Sequence, residues 1–190
     1  MHYNNMYKYL IKELFMEIAY LEIKDDIEEK LFKSYDQNWI KKYNCLPKYQ
    51  GCYNIAALYN NEVIGCATLG PQRWTSPLNA YCDVFIHWID VKEPFRRKGI
   101  GKNLVKLLEK WAKENGYRQI RAWSSENAVE ALHMWYSLDY AMCPASEIIK
   151  NSDGKVELIV KGYRYAKILN TKLENTKNFL NNELIPKAWG

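Results

Sequence analysis

"VKEPFRRKGIGKNLVKLLEKWAKENGY", Val91 to Tyr117, decides the fold of this chain. Its first third is a basic turn spaced by glycines, and its last two thirds repeat apolar residues at helical intervals. Ile100, Leu104, Leu107, Leu108 and Trp111 fall on one face, Lys106, Lys110 and Lys113 lie elsewhere, and Gly116 supplies a C-terminal stop. Upstream, "DVFIHWIDV" (Asp83 to Val91) is an almost unbroken apolar run, the pattern of a strand covered on both faces. Downstream, "RQIRAWSS" (Arg118 to Ser125) reads as another strand. Strand, helix and strand in this order predict a crossover between parallel neighbours.

Further out, "CYNIAALY", the pair Asn60-Asn61 and "EVIGCATLG" predict a β-hairpin with a two-residue turn. A second helix is expected from about Asn127 to Leu138. "SEIIKN", the turn "SDG" and "KVELIVKGYRY" predict a second hairpin. Residues Met1 to about Asn44 carry helical signals, with a short strand around Tyr9 to Leu14 as an option. "DDIEEKLFKSY" places acids first and lysines late, as the helix dipole favours, with Ile27, Leu31 and Tyr35 on one stripe. The tail from Ala166 repeats Leu169, Leu173, Leu180 and Leu184 at near-helical intervals, and either packs on its own domain or docks on a partner chain.

The bulk numbers set bounds. The 190 residues, 48% hydrophobic and 26% charged, are the size and composition of one globular domain. Twenty-seven Lys plus Arg against 22 Asp plus Glu leave a formal charge of +5, a mild excess compatible with an anionic ligand. Cys45, Cys52, Cys66, Cys82 and Cys143 form no CxxC pair, and His2, His87 and His133 stand at no zinc-like spacing from them, so no metal site is expected. No signal-peptide order opens the chain, and no apolar run reaches the roughly 18 residues a membrane span needs. A cytoplasmic protein with reduced thiols, and no membrane partner, is the expectation.

Between Val91 and Lys102 the chain leaves a strand, passes Pro94 and enters a helix through Gly99 and Gly101. The first amides of a helix have no intrahelical partner, and the dipole adds partial positive charge to them. Glycine at 99 and 101 removes two side chains, so a phosphate can approach, while Arg96, Arg97, Lys98 and Lys102 add formal charge. Two other phosphate motifs fail. A Walker loop needs a glycine where Arg96 stands and Ser or Thr where Asn103 stands; the dinucleotide fingerprint needs a third glycine where Leu104 stands. A tightened turn with solvated basic residues is the plainer alternative.

The stretch from Ile89 to Ile120 closely resembles the acyl-CoA-binding core of the GNAT superfamily of acetyl-CoA-dependent N-acetyltransferases. Their signature is Gln or Arg, two residues, Gly, one residue, then Gly or Ala; here it is Arg96, Arg97-Lys98, Gly99, Ile100, Gly101. A valine five residues earlier, an aromatic just before the arginine and a striped helix ending at Gly-Tyr match as well. The resemblance covers roughly 53–163. It implies an α/β (α+β) fold with a GNAT-like mixed, centrally splayed β-sheet flanked by helices. One domain over 1–190 is expected, with its core at about 53–163 and a C-terminal helical extension at about 166–185.

The resemblance also implies roles. Backbone amides from Arg97 to Lys102, with Gly99, Ile100 and Gly101 between, would cradle the pyrophosphate of acetyl-CoA. Ile89 and Val91 would offer backbone hydrogen bonds to the pantetheine arm. Asn127 matches a family Asn that contacts the cofactor; an ordinary helix N-cap is its alternative.

Acetyl transfer to an amine needs a neutral amine, yet a lysine-like amine has a pKa of about 10.4, so a base or ordered water must take a proton. Some relatives use a glutamate where this chain has Phe85. His87, and less favourably Asp83, share a face of that strand, and His87 titrates in the useful range. The leaving thiolate needs an acid. The family's phrase "FYEKLGF" corresponds to "HMWYSLDY", in which either Tyr136 or Trp135 stands at the usual place; Tyr136 is the expected acid. Cys82 and Cys143 have no evident activating base, so direct attack in a ternary complex is expected rather than an acetyl-enzyme. Trp74, Tyr81 and "YDQNW" are candidates for acceptor contacts.

The expected function is therefore an N-acetyltransferase acting on a primary amine of a small molecule or peptide, with a homodimer as an option. Two alternatives stand beside it. One is a non-catalytic acyl-CoA-binding sensor module. The other is a nucleic-acid-binding domain, whose only support is the modest charge and the RRK cluster that the phosphate reading already uses; no nucleic-acid partner is expected.

Overall fold

The computed structural model describes residues 17–35, 52–72, 83–151 and 153–169. In chain order the elements are β1 (Ala19–Glu22), α1 (Asp25–Ser34), β2 (Tyr53–Tyr59), β3 (Glu62–Gln72), β4 (Asp83–Val91), a 3-10 turn (Glu93–Phe95), α2 (Ile100–Glu114), β5 (Gln119–Ser125), α3 (Val129–Tyr136), β6 (Ala141–Lys150) and β7 (Val156–Ile168). The strands make a seven-stranded mixed sheet in the order β1-β2-β3-β4-β5-β7-β6. Two compact units interleave along the chain, one built from Met1–Thr68 and Trp88–Leu104, the other from Leu69–His87 and Val105–Gly190.

In the first unit, β1 pairs antiparallel with β2 from Ala19↔Leu58 to Glu22↔Ile55. The Asn60-Asn61 turn between β2 and β3 has positive φ at both residues, 49° and 67°, as a two-residue hairpin turn demands. Ile23, Ile27 and Leu31 pack with Ala56, Leu58, Val63 and Cys66 to form a core, with Tyr35 and Trp88 at its margin. The striped side of α1 is thus its buried side. The Tyr35 and Trp88 rings meet edge to face with centroids 5.3 Å apart.

In the second unit, β4 pairs in parallel with β5 at Asp83↔Gln119, Val84↔Ile120 and Phe85↔Arg121. The expected parallel crossover is present. That ladder is three pairs long, although the strands themselves run nine and seven residues. β7 is antiparallel to both neighbours, from Gln119↔Ile168 to Ser125↔Gly162 on β5, and from Ala141↔Ala166 to Lys150↔Val156 on β6. Trp135 stacks on Tyr165 and meets Tyr140 edge to face, at centroid distances of 5.1 and 4.8 Å. These three rings are the aromatic part of the second core, all 5% exposed or less.

The structure departs from the sequence reading at element ends. Residues 19–22 are a strand inside the region expected to be helical, because four residues of backbone find partners on β2. The suggested strand around Tyr9 to Leu14 lies outside the described residues. α3 is shorter than expected, starting at Val129 and ending at Tyr136. β6 begins at Ala141 rather than Ser146, and β7 continues to Ile168, so the first residues of the expected tail helix are strand instead. Backbone pairing with β5 and β7 overrides the leucine spacing there. The tail beyond Leu169 lies outside the described residues. Among the described residues, no helix is long and apolar enough to cross a membrane.

Candidate active site

The turn between β4 and α2 is built from short local bonds. Phe95 N donates to Lys92 O at 2.9 Å and Arg96 N donates to Glu93 O at 3.1 Å, closing the 3-10 turn that holds Pro94. Two residues then take left-handed backbone, Arg97 at φ 65° and Gly99 at φ 80°. For Gly99 that geometry is free of penalty; for Arg97 it costs about 1 kcal/mol. Asn103 N donates to Gly99 O at 3.0 Å, an early rung of α2. The amides of Ile100, Gly101 and Lys102 precede it, in the first turn where a helix leaves donors over.

Around those amides the turn is open. A Cβ at Gly99 would meet nothing within 4 Å. Arg96, Arg97, Lys98 and Lys102 are exposed, while Ile100 is buried and anchors the helix start. No acidic residue stands in the first turn of α2. Lys98 Nζ lies 5.6 Å from the Phe95 ring centroid, which draws one cation toward the turn's base. The geometry suits an anion with several oxygens, gripped by main-chain donors and surrounded by formal positive charge.

Arg96 is placed differently from its neighbours. Its Nε donates to Val91 O at 2.8 Å, and a terminal nitrogen lies 3.6 Å from Asp90 Oδ1. Lys92 N donates to Ile64 O at 2.8 Å, so by strand alternation Lys92 and Asp90 turn their backbone toward β3. Ile89 and Val91 turn theirs to the opposite edge. The Val91 carbonyl on that edge is held by Arg96. Sequence reasoning missed Asp90 altogether, since its meeting with Arg96 depends on how the turn doubles back.

The other expected site residues belong to the second unit. His87 is half-buried beside Phe85, ring centroids 5.5 Å apart, and burial pushes its pKa below the usual value. Asp83 is buried, with its Oδ2 3.3 Å from Arg121 Nε, so its charge is already engaged in a structural ion pair. Tyr136 is 77% exposed at the end of α3, while Trp135 beside it is 2% exposed. Of the two aromatic residues in "HMWYSLDY" that compete for the acid position, the Trp135 ring is core and the Tyr136 ring faces solvent. Asn127 is exposed and does not cap α3, whose N-cap is Ala128 without a side-chain bond. Cys143 is an exposed free thiol on β6. Cys82, Trp74, Tyr81 and residues 36–39 lie outside the described residues.

One hydroxyl pair went unnoticed in the sequence. Ser124 Oγ and Tyr165 OH are 2.7 Å apart. Burial raises the Tyr165 pKa, the Ser124 bond opposes that rise, and Tyr163 adds to it. A tyrosine two residues from another in a β-strand carries no signal of such a bond.

Comparison with known proteins places the chain in a family. The family model described as "Acetyltransferase (GNAT) family" matches residues 11–140. An N-acetyltransferase from Staphylococcus aureus Mu50 has a similar structure, with a TM-score of 0.62 at 15% identity, covering 81% of this chain and 99% of that one. The ribosomal-protein-S18-alanine N-acetyltransferase from Escherichia coli aligns with a TM-score of 0.61 at 11% identity, over 84% and 98%. NAA60 from Arabidopsis thaliana in complex with acetyl-CoA aligns with a TM-score of 0.60 at 14% identity, over 80% and 98%. No curated protein matches the sequence.

Proposed function

The chain belongs to the acetyltransferase (GNAT) family, and on that premise we propose that it transfers the acetyl group of acetyl-CoA to a primary amine of a small molecule or peptide. The observation that carries this reading is the turn itself. Gly99 at φ 80°, the open space over it and the first-turn amides from Ile100 to Lys102 make a seat that a pyrophosphate fits. Arg97, Lys98 and Lys102 supply charge around that seat, and Ile89 and Val91 supply backbone groups on the edge of β4 away from β3 for a pantetheine arm, with the Val91 carbonyl itself engaged by Arg96. Asn127 belongs to the same cofactor reading.

The chemistry follows from protons. The amine attacks the thioester carbonyl directly, its nitrogen loses a proton, and the thiolate leaves carrying the electron pair of the broken C–S bond. His87 is the proposed base; burial favours its neutral form, which can accept that proton near neutral pH. Tyr136, open to solvent, is the proposed acid for the thiolate. A cytoplasmic location and one domain over the whole chain complete the reading.

Isothermal titration with coenzyme A, followed by thiol release from acetyl-CoA across an amine panel, tests it. The panel includes a peptide with an N-terminal alanine, since one similar structure is of a ribosomal-protein-S18-alanine N-acetyltransferase, together with amino sugars, polyamines and amino acids. Amine-dependent thiol release is the expected result. Tight binding without turnover on any amine would favour the sensor module, and no binding at all would defeat both.

A further inference from the structure

Arg96 and Asp90 pose a question of sign. A carboxylate near an anion site repels the anion, so Asp90 should weaken the binding of a diphosphate if charge alone mattered. Yet Asp90 stands where it can hold Arg96, 3.6 Å away, while Arg96 Nε grips the Val91 carbonyl at 2.8 Å. The guanidinium therefore ties the turn to the end of β4 at two points. Directly after it come Arg97, in strained left-handed backbone, and Gly99. A turn bent in that way loses its shape readily once its tether is cut.

The end of β4 is itself held from the side away from the turn. A Cβ at Gly65 would lie 3.0 Å from Asp90 O and 3.3 Å from Val91 Cγ2, so the missing side chain lets β3 press against these two residues. The Tyr35 hydroxyl is buried beside the Asp90 carboxylate and the Cys66 thiol. Lys92 Nζ lies over the Tyr35 ring, 5.8 Å from its centroid. Asp90 thus has fixed surroundings from which to aim Arg96.

We propose that Asp90 is a positioning residue for coenzyme A: acting through Arg96, it fixes the 96–102 turn in its anion-binding shape, and so strengthens the binding of a diphosphate despite its own negative charge. Arg96 is then a brace of the turn rather than a phosphate ligand. The inference rests on the acetyltransferase reading and deepens the account of the same site.

The test is coenzyme A affinity by calorimetry for the wild type, Asp90→Asn, Arg96→Gln and the double variant, with Tm recorded for each. Asp90→Asn removes a negative charge and should nonetheless weaken coenzyme A by about two- to fivefold, the size typical of a partly exposed ion pair. The double variant should be no weaker than Arg96→Gln alone, because the two residues act as one unit. Asp90→Glu, which keeps the charge, should recover part of the loss. Where a screened amine gives turnover, the KM for acetyl-CoA rises in Asp90→Asn and kcat stays. If the wild type binds and Asp90→Asn binds equally well or more tightly, the brace is wrong while the acetyltransferase reading survives. Additive losses would make Arg96 a direct ligand and also overturn it. If the wild type fails to bind coenzyme A, the acetyltransferase reading falls and this inference goes with it.

Discussion

The Lys167 ammonium lies 3.1 Å from each oxygen of the Glu109 carboxylate and donates a further bond to the Leu138 carbonyl at 2.9 Å. One cation thereby joins β7, α2 and the chain just beyond α3, and it also lies over the Tyr140 ring, 5.5 Å from the centroid. The two side chains are 26% and 15% exposed, so water screens the pair poorly. Lys167→Met leaves a half-buried carboxylate and a carbonyl without their donor. It should cost about 2–3 kcal/mol in urea unfolding. Adding Glu109→Leu to that variant should restore part of the loss, because no charge is then left buried alone.

Gly99 and Gly162 separate two uses of glycine. At Gly99 a Cβ finds open space, but φ is 80°, so Gly99→Ala carries only the backbone penalty, about 1–2 kcal/mol. At Gly162 a Cβ would lie 2.2 Å from Ser124 O and 2.8 Å from the Trp123 ring, where β7 pairs with β5. Backbone cannot yield cheaply, so Gly162→Ala should cost about 3 kcal/mol or more. Thermal melts should rank Gly162→Ala well below Gly99→Ala. Coenzyme A affinity should fall chiefly in Gly99→Ala.

The contrast bears on what a sequence can reveal. The strand, helix and strand around the turn were legible because the apolar run at 83–91 and the stripe through Ile100, Leu104 and Leu108 are strong periodic signals. All three of those helix residues are buried, as are Val105 and Ala112, whereas Leu107 and Trp111 are only half-buried. β1 was not legible, because "AYLE" is four residues long and mostly exposed, and exists as a strand through its pairing with β2. The start of β6 was hidden by Pro144 and by small residues that β7 organises. At the site, main-chain features followed from the motif. The Asp90–Arg96 contact did not, since it arises from the path of the turn.

Trp135 and Tyr136 are neighbours with opposite environments, which makes their variants diagnostic. Trp135→Ala removes a ring packed against Tyr140 and Tyr165 and should cost about 3–5 kcal/mol. Tyr136→Phe deletes one exposed hydroxyl and should change stability by less than about 0.5 kcal/mol. If Tyr136 is the acid, kcat in that variant nevertheless drops about 100-fold. Full kcat in a well-folded Tyr136→Phe would transfer the role to another group or to water.

His87 gives two pH dependences with a fixed sign. Burial lowers its pKa in the fold from the usual 6.5, so the unfolded chain binds the proton more readily. The stability it contributes is therefore fully present above pH 6.5 and is lost as pH falls from there through the folded value. His87→Gln has no proton to take up. The stability of the wild type relative to His87→Gln should be flat above about pH 7.5 and decline below pH 6.5, by at most about 1.4 kcal/mol per pH unit for one proton. If His87 is the base, it also places the acid limb of kcat/KM below pH 6.5, and His87→Gln should both slow the reaction by about 100-fold and abolish that limb. An acid limb that survives unchanged in His87→Gln would assign the proton to the amine substrate or to ordered water instead.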